Sequence, residues 1–429
     1  MILSPRTPAP RCRRLPPRAI RFTAALFVAA LAVPAVAQSP SRSGETAPGR
    51  TGRGETARAS AGQDAAQGAP DSLPAPRAIE FAGARAELPL RLLDARPVVE
   101  ARIDGQGPFR MGIETGAAFI GLTRAALDSL RRSPSRVDAA GNIYALDSLG
   151  VAGVMFRGLE VRDAAPADPR IDGFLGLGAF ESLLLTIDYP GQRVVLEHGG
   201  LPAPDGRTVL ATQRVGPFFA VEVDLAGRRL PAVIDTRGSS AFGVTPAVGE
   251  SLRFRAPPVV VGQARGAAIP VTDVKLGRLD GDARLGDIVF ERPLVAIRAL
   301  PAGYPDAIMG SEALSHFALT LDQRAGRVRF TLPAARPIPP PPPLTDMGLR
   351  LRPSPGDAPE VADVRPGTSA DSAGVKPGDR VLEAGGIAGA DLSPVRWRAL
   401  ANSGRPVALK LRRGKQTLDR VIAPAILVP

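Results

Sequence analysis

The sequence predicts a mainly β protein in which two homologous β-rich lobes are followed by a smaller C-terminal domain. Three observations carry that prediction. From residue 77 onward most of the chain is short apolar or alternating runs bounded by Gly, Pro and Asp, the pattern of strands joined by tight turns. One long run recurs, since residues 99–123, "VEARIDGQGPFRMGIETGAAFIGLT", share their shape with residues 221–245, "VEVDLAGRRLPAVIDTRGSSAFGVT". Five consecutive prolines within "ARPIPPPPPLTD" then set off the C-terminal residues as a separate unit.

Residues 1–37 read as an export signal. Six arginines lie within residues 6 to 21, followed by the apolar run "FTAALFVAALAVPAVA", which ends in small residues at Ala35 and Ala37. Cleavage after Ala37 is favoured over a membrane anchor, because the run is interrupted by Pro34 and falls short of the roughly 20 residues a span needs. The processed chain is thus expected to have no integral membrane span and to be periplasmic or secreted. Residues 38–76 hold one large aliphatic residue, Leu73, amid Gly, Ser, Ala, Pro and charge, and form a disordered linker.

Composition excludes several function classes. The only cysteine, Cys12, lies in the leader, so disulfides, thiolate catalysis and cysteine–metal sites are not expected after cleavage. Half of the formal charge of +12 also lies in the leader, and the remaining arginines are scattered without interleaved aromatics, so nucleic acid is not an expected partner. His198 and His316 each lack a second histidine or cysteine at ligand spacing, and neither a nucleophile elbow nor a phosphate or dinucleotide fingerprint is present. No metal or cofactor is implied.

The first lobe spans 77–206 and the second 207–333. In the first, a hairpin-like pair of strands turns at Gly105-Gln106-Gly107 and ends in Glu114-Thr115-Gly116; in the second, it turns at Ala226-Gly227 and ends in Asp235-Thr236. A second element recurs downstream. "DGFLGLGAFESLLLTID" and "DAIMGSEALSHFALTLD" each place a hydrophobic-hydrophobic-Gly triplet after an Asp, then a short helical stretch, then a strand ending in Asp. The triplets are Phe174-Leu175-Gly176 and Ile308-Met309-Gly310.

Two lobes that each offer a carboxylate on a tight loop suit water-activating acid–base chemistry. Carboxyls about 3 Å apart cannot both ionise, so one acts as base on a water while the other protonates a carbonyl oxygen. The neighbouring threonines, Thr115 and Thr236, can lock the loops together, and glycine permits the tight turn. These elements resemble the retroviral-type (retropepsin-like) aspartic proteases, in particular exported bacterial proteins with two β-barrel lobes of the acid-protease fold and a C-terminal PDZ domain. Gly107-Pro108-Phe109-Arg110-Met111-Gly112-Ile113-Glu114-Thr115-Gly116 follows that family's pattern except for Glu, and the triplets match the segment packed beneath the catalytic loop. The resemblance implies Glu114 and Asp235 as the catalytic dyad, polypeptides as substrates and no cofactor.

Two departures fall at the decisive positions. Glu114 stands for Asp, which lengthens the side chain by about 1.5 Å; a misplacement of roughly 1 Å can cost ~10²-fold in rate. Arg237 stands where Gly is expected. Either it replaces that glycine, or it is a one-residue insertion and Gly238 is the counterpart of Gly116. These departures give the function two readings: an aspartic-type endopeptidase, or a degenerate pseudo-peptidase acting as a peptide-binding envelope adaptor. Tyr144 is read as a core residue in preference to a flap residue.

After the proline-rich linker at 334–344, residues 345–429 contain "VADVRPGTSADSAGVKPGDRVLEAGG", which resembles a PDZ domain. The resemblance implies a loop at Met347-Gly348-Leu349 whose backbone N–H groups meet a peptide carboxylate, beside a strand that takes up an extended peptide. Residues 393–404 offer the groove helix, with Trp397 directed to the core.

Overall fold

The computed structural model describes residues 75–429 apart from 94, 139, 165–169, 267–268, 302, 335–336 and 353–356. The expected leader at 1–37 and nearly all of the expected linker at 38–76 lie outside the described residues. The described chain is mainly β, as its alternating patterns predict.

In the first half, strands Arg96–Ile103 and Gln106–Glu114 form an antiparallel hairpin. Its turn is Asp104-Gly105, both with positive φ, as the right-handed twist of a two-residue hairpin requires. The second strand begins exposed and ends with Met111, Gly112, Ile113 and Glu114 all buried, as expected where a strand becomes covered on both faces. That covering comes from Gly173–Gly176, which pairs in parallel with it from Met111↔Gly173 to Glu114↔Gly176, and antiparallel with Ile120–Leu122. The triplet therefore threads between the two arms of the loop that carries Glu114.

The second half repeats this arrangement. Phe218–Leu225 and Arg228–Asp235 form the hairpin, turning at Ala226-Gly227. Ala307–Gly310 pairs in parallel with the second strand from Ala232↔Ala307 to Asp235↔Gly310, and antiparallel with Phe242–Val244. Both loops thus have the same hydrogen-bonded surroundings.

A six-stranded sheet joins the halves, in the order Val209–Ala211, Arg327–Thr331, Ala318–Asp322, Leu184–Asp188, Arg193–Glu197 and Arg85–Pro89. At its centre Thr186 pairs with Thr320, their hydroxyls 2.8 Å apart, and the register runs outward symmetrically from that pair. One apolar core runs through both halves and includes Leu185, Ile187, Leu319 and Leu321 from this sheet. The two carboxylate loops are consequently held by a single chain and a continuous core.

The C-terminal unit has its own core, centred on Val361, Val381, Leu411 and Ile422. Leu349–Arg352 is an edge strand of its sheet, paired among the described residues with Glu360–Val364 alone. The helix Pro394–Asn402 is capped by the Ser393 side chain, and Trp397 packs on the core. This unit is fastened to the second half, because Leu344 and Val428 pack with Val259, Val261, Ala264, Val274 and Leu276 of the hairpin Val259–Gly266/Ile269–Arg278. The proline run is also tied down: Ile338 exchanges backbone hydrogen bonds with Val289 and Glu291. Buried Arg278 donates to the carbonyls of Arg292, Pro341, Pro342 and Pro429. No described helix is long and apolar enough to cross a membrane.

Candidate active site

Glu114 and Asp235 are the last residues of the two matching strands, and both are buried. The following threonines clasp each other's loop. Thr115 donates its N–H to Thr236 Oγ1 at 3.0 Å and its hydroxyl to the Ile234 carbonyl at 2.7 Å. Thr236 reciprocates, its N–H reaching Thr115 Oγ1 at 3.1 Å and its hydroxyl the Ile113 carbonyl at 2.6 Å. Each hydroxyl therefore donates once and accepts once, leaving no polar atom of the clasp unpaired in a water-excluded position.

The hydrogen bonds fix the register around Arg237. Ala117 N–H bonds to the Glu114 carbonyl at 3.1 Å, and Gly238 N–H bonds to the Asp235 carbonyl at 3.1 Å. The Ala117 carbonyl accepts from Leu177 N–H, and the Gly238 carbonyl accepts from Ser311 N–H. Gly238 is thus the counterpart of Ala117, and Arg237 that of Gly116. Further on, Gly176 donates to the Phe119 carbonyl while Gly310 donates to that of Ala241. The extra residue of the second loop accordingly lies at Ser239-Ser240, after Arg237. Gly238 still serves the loop, since its carbonyl also accepts the Ser311 hydroxyl at 2.8 Å.

Each residue after the threonine faces the carboxylate of the other half. A Cβ on Gly116 would collide with the Asp235 carboxylate and would stand 3.0 Å from the Tyr304 hydroxyl. Arg237, by contrast, reaches across to Glu114, with a guanidinium nitrogen 3.5 Å from Oε2. The Arg237 N–H holds Asp235 Oδ1 at 2.9 Å. Among the described residues Gly116 N–H makes no such bond to the longer Glu114. One carboxylate is pinned by its own loop, and the other by an arginine from the opposite loop.

Burial pushes the Glu114 carboxyl above its ordinary value; Arg237 opposes that shift, Asp235 reinforces it and Arg96 opposes it. Glu114 therefore keeps its proton to higher pH than an exposed glutamate does. Arg237 is held protonated above all by the Glu114 charge. Tyr304 donates its hydroxyl to the Gly116 carbonyl at 2.8 Å, packs tilted against Phe218 with ring centroids 4.7 Å apart, and is kept neutral by burial and by Asp235.

The predicted triplets lie beneath the two loops, each paired to the strand that carries its carboxylate. The Met347-Gly348-Leu349 loop lies elsewhere, in the C-terminal unit. Met347 and Leu349 side chains belong to that unit's core, and Gly348, at φ +77, packs against Thr368 where a Cβ would collide. Tyr144 is a core residue whose hydroxyl accepts from Arg124 at 2.8 Å. His198 stacks on Phe81 and His316 lies edge-on to Phe290. Arg96, Arg298 and Tyr304 went unnoticed in the sequence, because no repeated motif marks them.

No family model and no curated protein matches the chain. Among solved structures it is similar to a retropepsin-like aspartic protease from Rickettsia conorii, at 15% identity and a TM-score of 0.22, over 29% of this chain and 95% of that one.

Proposed function

We propose that the chain is an exported aspartic-type endopeptidase in which Glu114 and Asp235 activate water against a peptide bond. Asp235 takes a proton from the water, whose oxygen attacks the carbonyl carbon, while protonated Glu114 gives its proton to the carbonyl oxygen. Collapse of the tetrahedral diol breaks the C–N bond as the proton on Asp235 passes to the leaving amine and one diol O–H proton returns to Glu114, which restores both carboxyls. The observation that carries this reading is the reciprocal threonine clasp, which holds two buried carboxylates at the ends of matching strands. The C-terminal unit serves as a PDZ-type peptide-binding module, a role supported by the edge strand Leu349–Arg352, paired on one side only among the described residues, and the adjacent Met347-Gly348-Leu349 loop.

A second reading, a peptide-binding pseudo-peptidase of the cell envelope, is favoured by the Arg237–Glu114 contact, which ties up one carboxylate. Incubation of the purified protein with an unfolded protein from pH 3 to 7, beside an Asp235→Ala variant, separates the two. Cleavage lost in the variant supports the peptidase. No cleavage by either protein, with peptide still bound, supports the adaptor.

A further inference from the structure

We propose that the cleft at Glu114 and Asp235 selects polypeptides with an acidic side chain beside the central peptide bond, with Arg237 and Arg298 as its receptors; this rests on the cleft binding peptides. Arg237 and Arg298 face two carboxylates here, and Arg96 lies beside Glu114 as well. A pair of carboxylates sharing one proton carries a single negative charge, so a positive charge is left over in a partly dehydrated site. Such a charge is costly to bury and favours an anionic partner.

Arg298 is the less compensated of the two. It comes directly after strand Leu294–Ile297, its backbone N–H bonded to the Val244 carbonyl at 2.9 Å. Its half-buried side chain makes no hydrogen bond or ion pair among the described residues, although Asp235, Arg237 and Tyr304 all lie within its electrostatic reach. Burial lowers its pKa, the direction expected of a cation short of a partner. From Arg298 the chain continues to Tyr304, which closes on the Gly116 carbonyl, and Leu300 and Tyr304 pack with Phe218 as an apolar wall.

Arg237 supplies the second receptor. Its side chain is 40% exposed, and a single nitrogen approaches Glu114 at 3.5 Å, so among the described residues most of its five N–H donors make no hydrogen bond. Beside it a depression is walled by Leu93, Pro97 and Ile171, with Arg96 and Glu114 also on its lining. Apolar walls with guanidinium donors at one end suit the methylene and carboxylate of Asp or Glu, which arginine binds bidentately. An amide side chain offers one acceptor and no charge.

The test uses the full chain and three fluorescein-labelled, C-terminally amidated octapeptide pools, random except for a central Glu, Gln or Lys. Amidation keeps a terminal carboxylate from engaging the C-terminal unit. Fluorescence anisotropy at pH 5 and 50 mM salt should show the Glu pool bound about tenfold more tightly than the Gln pool, with the Lys pool weakest. Raising the salt should narrow the gap. Arg298→Gln should reduce the preference and Arg298→Lys should restore part of it; unchanged melting temperatures show that the variants are folded. If a variant does not fold, the comparison of Glu and Gln pools on the unmodified chain decides alone. Equal affinity for those two pools overturns the acidic preference while leaving a peptide cleft standing, as does a preference that survives in both Arg298→Gln and Arg237→Gln. Failure of every pool to bind overturns the peptide cleft itself and the preference with it.

Discussion

The Asp235 carboxylate occupies the space that a side chain at Gly116 would need, whereas at the matching position Arg237 carries a side chain and meets Glu114. The two departures from a symmetric Asp-Thr-Gly pair are therefore facing partners. A side chain on the second loop crowds the first carboxylate, and the additional methylene of glutamate carries that carboxylate outward to the guanidinium. Gly116 has no such latitude, since the shorter Asp235 lies directly against it.

That pairing predicts strong coupling between residues 114 and 237. Arg237→Gly alone removes the countercharge and leaves a buried glutamate, raising its pKa further; Glu114→Asp alone withdraws the carboxylate from the arginine. Together they restore two aspartates facing two glycines. The double variant is expected to cleave an unfolded protein at least tenfold faster than either single variant, with a coupling of roughly 1–3 kcal/mol in a double-mutant cycle. Additive effects would mean that Arg237 and Glu114 act independently.

The threonine clasp gives a stability prediction. Thr236→Val keeps the shape of the side chain but strips the Ile113 carbonyl of a donor and Thr115 N–H of an acceptor, both in a buried position. Two unsatisfied groups cost about 2–6 kcal/mol together. Thr236→Ser, which keeps the hydroxyl, should cost under about 1.5 kcal/mol. Urea unfolding measures both, and equal midpoints for the Val and Ser variants would remove the clasp as a source of stability.

Much of the fold was legible because the repeated hairpin and triplet preserve both residue types and spacing, and because turns such as Ala226-Gly227 are marked by a glycine at positive φ. The site was legible in its carboxylates and threonines for the same reason. The role of Arg237 was not. One added serine at 239–240 shifts everything after it, and only the hydrogen bonds of Gly238 and Ala241 to the triplet strand locate the shift. Tyr304 and Arg298 come from a loop whose sequence has no twin in the first half. Arg278 is one arginine among many in the sequence, yet it is buried against the carbonyls that surround the proline run. The polyproline stretch reads as a spacer because composition reports stiffness, while its docking depends on that distant side chain.

Arg278 should therefore control how the C-terminal unit is held. Arg278→Met keeps the apolar stem but leaves the carbonyls of Arg292, Pro341 and Pro342 without its N–H donors. Limited proteolysis should then cut within residues 334–344 at least several-fold faster than in the unmodified chain, with the near-ultraviolet circular dichroism of the rest retained. An unchanged cleavage rate would show that the apolar contacts of Leu344 and Val428 suffice.

Glu312 gives the pH dependence its sign. It sits just past the Ile308-Met309-Gly310 triplet, Ala241 N–H donates to its carboxyl, and Oε2 has no hydrogen-bond partner. Burial raises its pKa to about 7, with the Ala241 N–H and Arg278 opposing the shift. The folded chain thus keeps a proton that the unfolded chain has already released between about pH 4.5 and 7. Where the native state binds more protons, stability falls as pH rises. The contribution is fully present below the unfolded value and is lost as pH climbs through about 7, amounting to roughly 3 kcal/mol. Urea midpoints should decline between pH 5 and 8, and Glu312→Gln, which cannot ionise, should flatten much of that decline. An identical slope in the variant would assign the pH dependence to other groups, with Glu114 the first to examine because its carboxyl shifts in the same direction.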